Sequence, residues 1–184
     1  CITTALGALV TFSTFTPAYA ADFTVPAGTT DTDEKVLTGA ETGIVESGGT
    51  LSVTGDPAIT WEGASTGVTV DNYGTIESPN DRAIDTDGAS GIFTLNNYAG
   101  ALISADEDDA FKIRDSIGDG TVTINNFCTI VSGDGQAFDF TDSTSDEGTL
   151  IITNGATGII RAEDSDAIRP GLGTITVDNS GLIE

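Results

Sequence analysis

Histidine is absent from this 184-residue sequence, and basic residues are scarce, with six Lys and Arg against 29 Asp and Glu. Without an imidazole, neither the Ser-His-Asp nor the Cys-His arrangement can be built, and histidine-containing metal sites are excluded. The resulting net charge of -23 repels phosphate backbones and anionic lipid headgroups. Nucleic acid is therefore excluded as a partner, and no amphipathic helical stretch suggests a helical fold.

Residues 1–20 carry no charge, are moderately apolar and end in Ala18-Tyr19-Ala20, which is the small-x-small pattern of a signal-peptidase site. They are interpreted as a signal peptide whose basic n-region is missing, with cleavage after Ala20. A short buried helix, a membrane span and a lipidated Cys1 are the alternatives. Cys1 would leave with the signal peptide, so a mature chain holding only Cys128 has no disulfide. A small side chain suits position 128, because other repeats have Gly or Ala there.

An internal repeat organises the chain from about residue 51 onward, and this period is typical of solenoids. In each repeat an apolar residue, a skipped position and an asparagine follow one another, which is the alternation of a β-strand. The repeated asparagines, spaced 25 to 29 residues apart, are Asn72, Asn97, Asn126, Asn154 and Asn179. Their amides are expected to form a structural hydrogen-bonded ladder between coils. A carbohydrate-binding asparagine row is the alternative, and it requires these side chains to face outward.

Two sets of apolar residues recur at fixed positions after the asparagines. The first set follows by four or six residues, and a difference of two preserves which side chains point inward. The second set follows the first by eight residues and each member comes after an alanine. We therefore predict two core columns, one of Leu51, Ile76, Ile103, Ile130, Ile160 and Ile183, the other of Ile59, Ile84, Phe111, Phe138 and Ile168.

This repeat predicts an all-β fold, a right-handed parallel β-helix with coils of about 25–30 residues. A β-sandwich is the rival fold. Residues 21–50 lack the full repeat and are predicted to form the N-terminal cap, and residues 51–184 form the coils. Since the sequence ends within a repeat, further coils are expected after Glu184. Loops that could carry specificity are predicted at the glycine-rich segments 62–67, 87–91, 115–120 and 141–148.

Acidic residues are the main candidates for chemistry, and they gather at equivalent turns of three coils. Such carboxylates could serve glycoside chemistry or bind calcium, but solvated turns of an acidic protein are the simpler interpretation. The clustered residues are Asp106, Glu107, Asp108, Asp109, Asp134, Glu163, Asp164 and Asp166. Positions just after the second column alternate in charge and are expected on the exterior, paired between coils: Thr60, Asp85, Lys112, Asp139 and Arg169. No catalytic residue, cofactor-binding residue or metal ligand is assigned.

The segments AITWEGASTG at 58–67, NYGTI at 72–76 and RAIDTDG at 82–88, together with the signal-like start, resemble the first coils of bacterial autotransporter passenger domains of the type V secretion pathway. The resemblance implies export and translocation through a C-terminal outer-membrane β-barrel, which is expected in the full-length protein. It also implies display or release at the surface of a Gram-negative cell, and a part in virulence. The GDSGS text of the proteolytic members is missing.

The predicted function is therefore that of an adhesin or structural scaffold in an exported passenger, without enzymatic activity or cofactor. Its ligand would be a host protein, a glycan or another cell, and a ligand that is not strongly anionic is expected. The rival functions are a β-helix carbohydrate-active enzyme, a lyase or glycosidase that uses the acidic turns, and a purely structural stalk.

Overall fold

A computed structural model describes residues 21–114, 117–141 and 148–184, and the proposed signal peptide lies outside them. Among these residues there are 18 strands and no helix, so nothing in the described part of the chain forms a helix able to cross a membrane. The strands are β1 Phe23–Val25, β2 Thr30–Asp31, β3 Lys35–Gly39, β4 Thr42–Val45, β5 Thr50–Ser52, β6 Ile59–Asn72, β7 Thr75–Ser78, β8 Ile84–Asn97, β9 Leu102–Ala105, β10 Phe111–Lys112, β11 Thr121–Asn126, β12 Thr129–Ser132, β13 Phe138–Asp139, β14 Thr149–Asn154, β15 Ile159–Ala162, β16 Ile168–Arg169, β17 Thr174–Asn179 and β18 Leu182–Ile183.

The strands form two parallel sheets that run along the same stack of coils. The smaller sheet has the order β18-β15-β12-β9-β7-β5-β2, so strands of successive coils are neighbours. The larger sheet holds the remaining 11 strands, paired in the same coil-to-coil manner. The predicted parallel β-helix is confirmed, with about five turns.

The apolar residues of each coil lie directly over those of the next. In the smaller sheet the register joins Leu51, Ile76, Ile103, Ile130, Ile160 and Ile183 in one row. In the larger sheet it joins Ile59, Ile84, Phe111, Phe138 and Ile168. All are fully buried except Ile168 and Ile183, which are partly buried against the same core. Burial alternates along strands such as β7, β9, β11 and β12, as the two-residue period of the side chains requires.

Residues 21–50 extend both sheets through a shorter coil. Phe23 pairs with Gly43 and Thr30 with Thr50, so the coil repeats after 20 residues. The assignment of this segment as a cap stays a prediction.

Two segments predicted as loops are strands, and that prediction is wrong. Residues 62–67 lie within β6 and residues 87–91 within β8, and the two strands pair through shifts of register. Gly91 shows why a glycine-rich segment can form a strand here. Its φ is +98°, and a Cβ at this position would collide with the Ser65 carbonyl oxygen. The glycines therefore permit β-bulges and close backbone approach. Residues 115–116 and 142–147 of the other two segments lie outside the described residues.

Candidate functional site

The five repeated asparagines lie in one inward-facing ladder at the ends of β6, β8, β11, β14 and β17. Each of the first four donates a hydrogen bond from its Nδ2 to the Oδ1 of the ladder asparagine in the next coil. The distance is 2.9 Å from Asn72 to Asn97, and 2.8 Å for each of the steps from Asn97 to Asn126, Asn126 to Asn154 and Asn154 to Asn179. The first four also donate to a backbone carbonyl of the smaller sheet in the next coil. These four side chains are buried, which rules them out as an outward carbohydrate-binding row.

Replacing Asn97 with alanine is expected to lower the free energy of unfolding by about 1 to 3 kcal/mol, because Asn72 loses its acceptor and Asn126 its donor in a buried site. Urea unfolding followed by circular dichroism measures the loss. The matched control is Asn80→Ala, at an exposed asparagine, which is expected to change stability by less than about 0.5 kcal/mol. Equal effects of the two substitutions would contradict a structural role for the ladder.

The acidic turns form an open groove of about 320 Å³ on the outside of the smaller sheet. Four acidic residues line it: Asp106, Asp134, Glu163 and Asp164. The backbone amide of each of these residues donates a hydrogen bond to a backbone carbonyl of the preceding coil. Among the described residues, no Arg, Lys or aromatic side chain lines this groove. Within the described ranges, no group of three or more Cys, Asp or Glu residues is arranged to hold a metal ion.

Other acidic residues near these turns form ion pairs with Arg and Lys side chains. These ion pairs are grouped around two basic residues, here called centres, and the first centre is Arg82. Its Nη2 lies 2.8 Å from Asp108 Oδ2, and its Nη1 lies 3.4 Å from Asp85 Oδ2. Arg114 forms a second short ion pair with Asp85. Asp85 is only 3% exposed, so its charge is compensated by two guanidinium groups rather than by water.

Lys112 is the second centre, one coil further on. Its Nζ lies 2.7 Å from Asp139 Oδ2 and 3.6 Å from Asp109 Oδ2. Asp139 also accepts hydrogen bonds from the amide and hydroxyl of Thr141, and Arg169 lies 3.9 Å away. The two centres are joined through Asp109, whose Oδ2 lies 4.0 Å from Arg82 Nε.

Burial and ion pairing shift the pKa values of these carboxyl groups in opposite directions. Desolvation raises the pKa of Asp85 above its ordinary value, although Arg114 and Arg82 act against the change. Desolvation also raises the pKa of Asp109, and the nearby Asp139 and Asp108 charges add to it. Burial acts in the same direction on Asp139, but the hydrogen bonds from Lys112 and Thr141 outweigh it and lower its pKa.

The charged residues that follow the second core column were predicted to lie on the exterior and to pair between coils, and the first part of that prediction is wrong for two of them. Lys112 and Asp139 do face each other between coils, yet Asp85 and Asp139 are buried rather than exposed. The charged groups of Arg82 and Arg114 contact Asp85, and that of Lys112 contacts Asp139. Because of this burial, removing one partner of the pair should destabilise the protein more than breaking a surface salt bridge would, since the other charge is left without compensation.

A second groove, of about 210 Å³, opens beside Asp85. Glu34, Thr60, Asp87 and Arg114 are the other polar residues that line it. Here a carboxyl with a raised pKa lies next to further carboxylates at an open groove. It is therefore the site where acid-base chemistry would be tested.

Sequence reasoning missed an outward row of residues beside the inward ladder. Tyr73, Tyr98 and Phe127 each follow a ladder asparagine directly, at the turn between the two sheets. The signal was the dipeptide itself, which is Asn-aromatic in three consecutive coils. Cys128, next to Phe127, is a free and half-buried thiol whose amide donates to Asn126 Oδ1.

Comparison with known proteins gives no relative. No family model matches the chain, and neither a curated protein nor a solved structure matches it.

Proposed function

We propose that this chain is a binding scaffold, an adhesin-like part of an exported passenger domain of the autotransporter type, and that it acts without turnover. The observation that carries the proposal is the ion pairing of the acidic residues. Asp85, Asp108, Asp109 and Asp139 are bound by Arg or Lys of the same or a neighbouring coil. Carboxylates fixed in this way brace the coils against one another and are not free to share a proton with a substrate.

The coil repeat supports a scaffold as well. Each coil contacts chiefly its neighbours, so the outer side chains can change from coil to coil while the core columns and the asparagine ladder stay the same. Outward positions repeat at strand spacing, about 4.8 Å, along the whole stack. Such a surface suits extended ligands: a host protein, a glycan or another cell.

A carbohydrate-active enzyme is the second candidate, and the groove beside Asp85 is the observation that favours it. A glycosidase needs one protonated and one ionised carboxyl group on either side of the scissile bond. Asp85, with its raised pKa, and Asp87 or Glu34 are the groups available there. However, two guanidinium groups contact Asp85, and its side chain is almost fully buried.

Adhesion and turnover are measured in one assay. The purified 184-residue chain is coupled to beads and incubated with cells, matrix proteins and a polysaccharide panel, with and without calcium. We expect saturable attachment to at least one of these and no soluble products. Product release that disappears in Asp85→Asn or Asp87→Asn, but persists in the exposed control Asp56→Asn, would establish the enzyme instead.

Export is tested separately. When the complete gene is expressed in a Gram-negative host, the mature protein is expected at the cell surface or in the medium, beginning at Ala21. Retention in the cytoplasm with residues 1–20 intact would contradict the passenger assignment.

A further inference from the structure

A second polar ladder runs along the outside of the larger sheet, one residue before the inward asparagines. Asn96 Nδ2 donates to Asp71 Oδ1 at 2.8 Å, and Asn125 Nδ2 donates to Asn96 Oδ1 at 2.8 Å. The register continues this row to Thr153 and Asp178 in the next two coils. These outward side chains are held in line by one another, so their remaining polar groups face solvent in a fixed order.

An aromatic row flanks this outward ladder. The rings of Tyr73 and Tyr98 stack with centroids 4.1 Å apart and planes 1° from parallel. Phe127 follows in the next coil, and both Tyr73 and Phe127 are 40% exposed. The Tyr98 hydroxyl lies 3.3 Å from Asp71 Oδ1 and donates to it, which joins the row to the ladder.

The fold does not need aromatic residues at these positions. The corresponding residues of the following coils are Gly155 and Ser180, and the strands on either side pair there in the same register. Phe127 lies against Gly155, where a Cβ would come within 2.6 Å of the ring. Exposed rings that the stacking does not require need another explanation, and a ligand supplies one.

The charge of this face restricts the ligand. In the three coils that carry the aromatic row, the outward position two residues before the outward ladder is a threonine: Thr69, Thr94 and Thr123. None of the six Lys and Arg residues lies on this face, since all six are paired with carboxylates elsewhere in the coils. Asp71 and the net charge of -23 repel an anionic polymer.

We propose that the aromatic row Tyr73, Tyr98 and Phe127, together with the outward ladder Asp71, Asn96 and Asn125, binds a neutral polysaccharide that lies along the axis of the coils. Sugar rings present apolar C–H groups, which pack against the outer edges of the stacked tyrosines and against Phe127, and hydroxyl groups, which bond to amide and carboxylate oxygens. Three coils at about 4.8 Å offer a row about 10 Å long, enough for two or three sugar residues. The inference deepens the proposed function by naming its ligand class, and it rests on binding without turnover.

Affinity electrophoresis of the full 184-residue chain tests the inference. The gels contain a soluble neutral β-glucan, a neutral xylan or polygalacturonate as the anionic comparator. The test variant is the triple substitution Tyr73→Ser, Tyr98→Ser and Phe127→Ser, which places in three coils the residue that Ser180 already provides in another. The matched control is Leu172→Ser, at a side chain that is 59% exposed but outside the row.

We expect retardation by a neutral polysaccharide, weakened at least about tenfold in the triple variant, which corresponds to about 1.4 kcal/mol. Leu172→Ser should bind like the unmodified chain, and the thermal unfolding of the triple variant should show that the coils are intact. Equal binding by the triple variant, stronger binding to polygalacturonate, or no binding to either neutral polymer would overturn the inference. Attachment to cells or proteins in those cases would still leave the proposed function standing, whereas release of soluble sugar would refute the proposed function itself.

Discussion

Replacing Phe111 with alanine is expected to lower the free energy of unfolding by about 3 to 5 kcal/mol, the loss typical of a buried phenylalanine. Phe111 is fully buried, and its ring centroid lies 5.5 Å from that of Phe93, 6.1 Å from Phe138 and 6.0 Å from Phe140. These rings come from neighbouring coils, so they cannot close the cavity without shifting the stack. Guanidinium unfolding followed by far-ultraviolet circular dichroism gives the value.

Phe127→Ala is the matched control, because it removes the same side chain from an exposed position on the outside of the coils. Since the ring is 40% exposed, its effect on the unfolding free energy is expected to be about 1 kcal/mol, well below that of Phe111→Ala. Phe111→Leu should recover much of the loss, since leucine refills most of the volume. A Phe111→Ala protein as stable as Phe127→Ala would show that the ring is not in the core.

Lys112→Met is expected to lower the unfolding free energy by about 3 kcal/mol, because it leaves Asp139 and Asp109 buried with one cation fewer. The double variant Lys112→Met with Asp139→Asn should lose less than the sum of the single variants, with a coupling energy of about 1 to 3 kcal/mol. Equilibrium unfolding of the four proteins closes the double-mutant cycle at low salt.

The exposed pair Arg161 and Glu184, 3.6 Å apart, is the control cycle and should couple by less than about 1 kcal/mol. A dependence on pH provides a second check. Because pairing lowers the pKa of Asp139, its contribution to stability is fully present above the unfolded pKa of about 3.9 and is lost as pH falls through the lower folded value. The Lys112–Asp139 coupling should therefore be present at about pH 7 and should weaken as the pH is lowered below about 3.9. Equal coupling in both pairs, at either pH, would contradict the buried pair.

The coil register could be predicted because it depends on residue types that recur in every coil. An inward position accepts only apolar side chains of similar size, so the eight-residue step from Ile103 to Phe111 and from Ile130 to Phe138 defines the fold. The asparagines are equally restricted, since an amide that donates and accepts along a ladder has no simple substitute. Threonines at outward positions carry no such restriction.

The partners of the charged residues could not be predicted from the repeat. Arg82 binds Asp108 of the following coil, and that contact depends on where two irregular turns meet rather than on strand register. Alternation with the inward Ile84 predicts Asp85 on the exterior, but Asp85 is buried and contacts the guanidinium groups of Arg82 and Arg114. The glycines of residues 62–67 predict a loop, but glycine is common in bulged strands as well, and this segment lies within β6.

The outward ladder and the aromatic row were predictable in part. The residue before each ladder asparagine is polar in all five coils, as Asp71, Asn96 and Asn125 illustrate, which a strand exposed on one face requires. That the aromatic residues Tyr73 and Tyr98 would stack depends on side-chain conformations at a turn, and these are not fixed by the strand period.

In-register stacking of the coils underlies the core columns, both ladders, the ion pairs and the aromatic row, and engineered disulfides test it most directly. In a chain with both native cysteines replaced by alanine, Thr94→Cys and Thr123→Cys occupy paired positions of β8 and β11. Their Cα atoms should lie about 5 Å apart, within the range of a disulfide, whereas Thr94→Cys and Asn125→Cys are offset by two residues and too distant. We predict rapid oxidation of the first pair and none of the second within the monomer. Crosslinking of the offset pair as readily as the paired one would contradict the register, and with it the surface on which the proposed ligand binds.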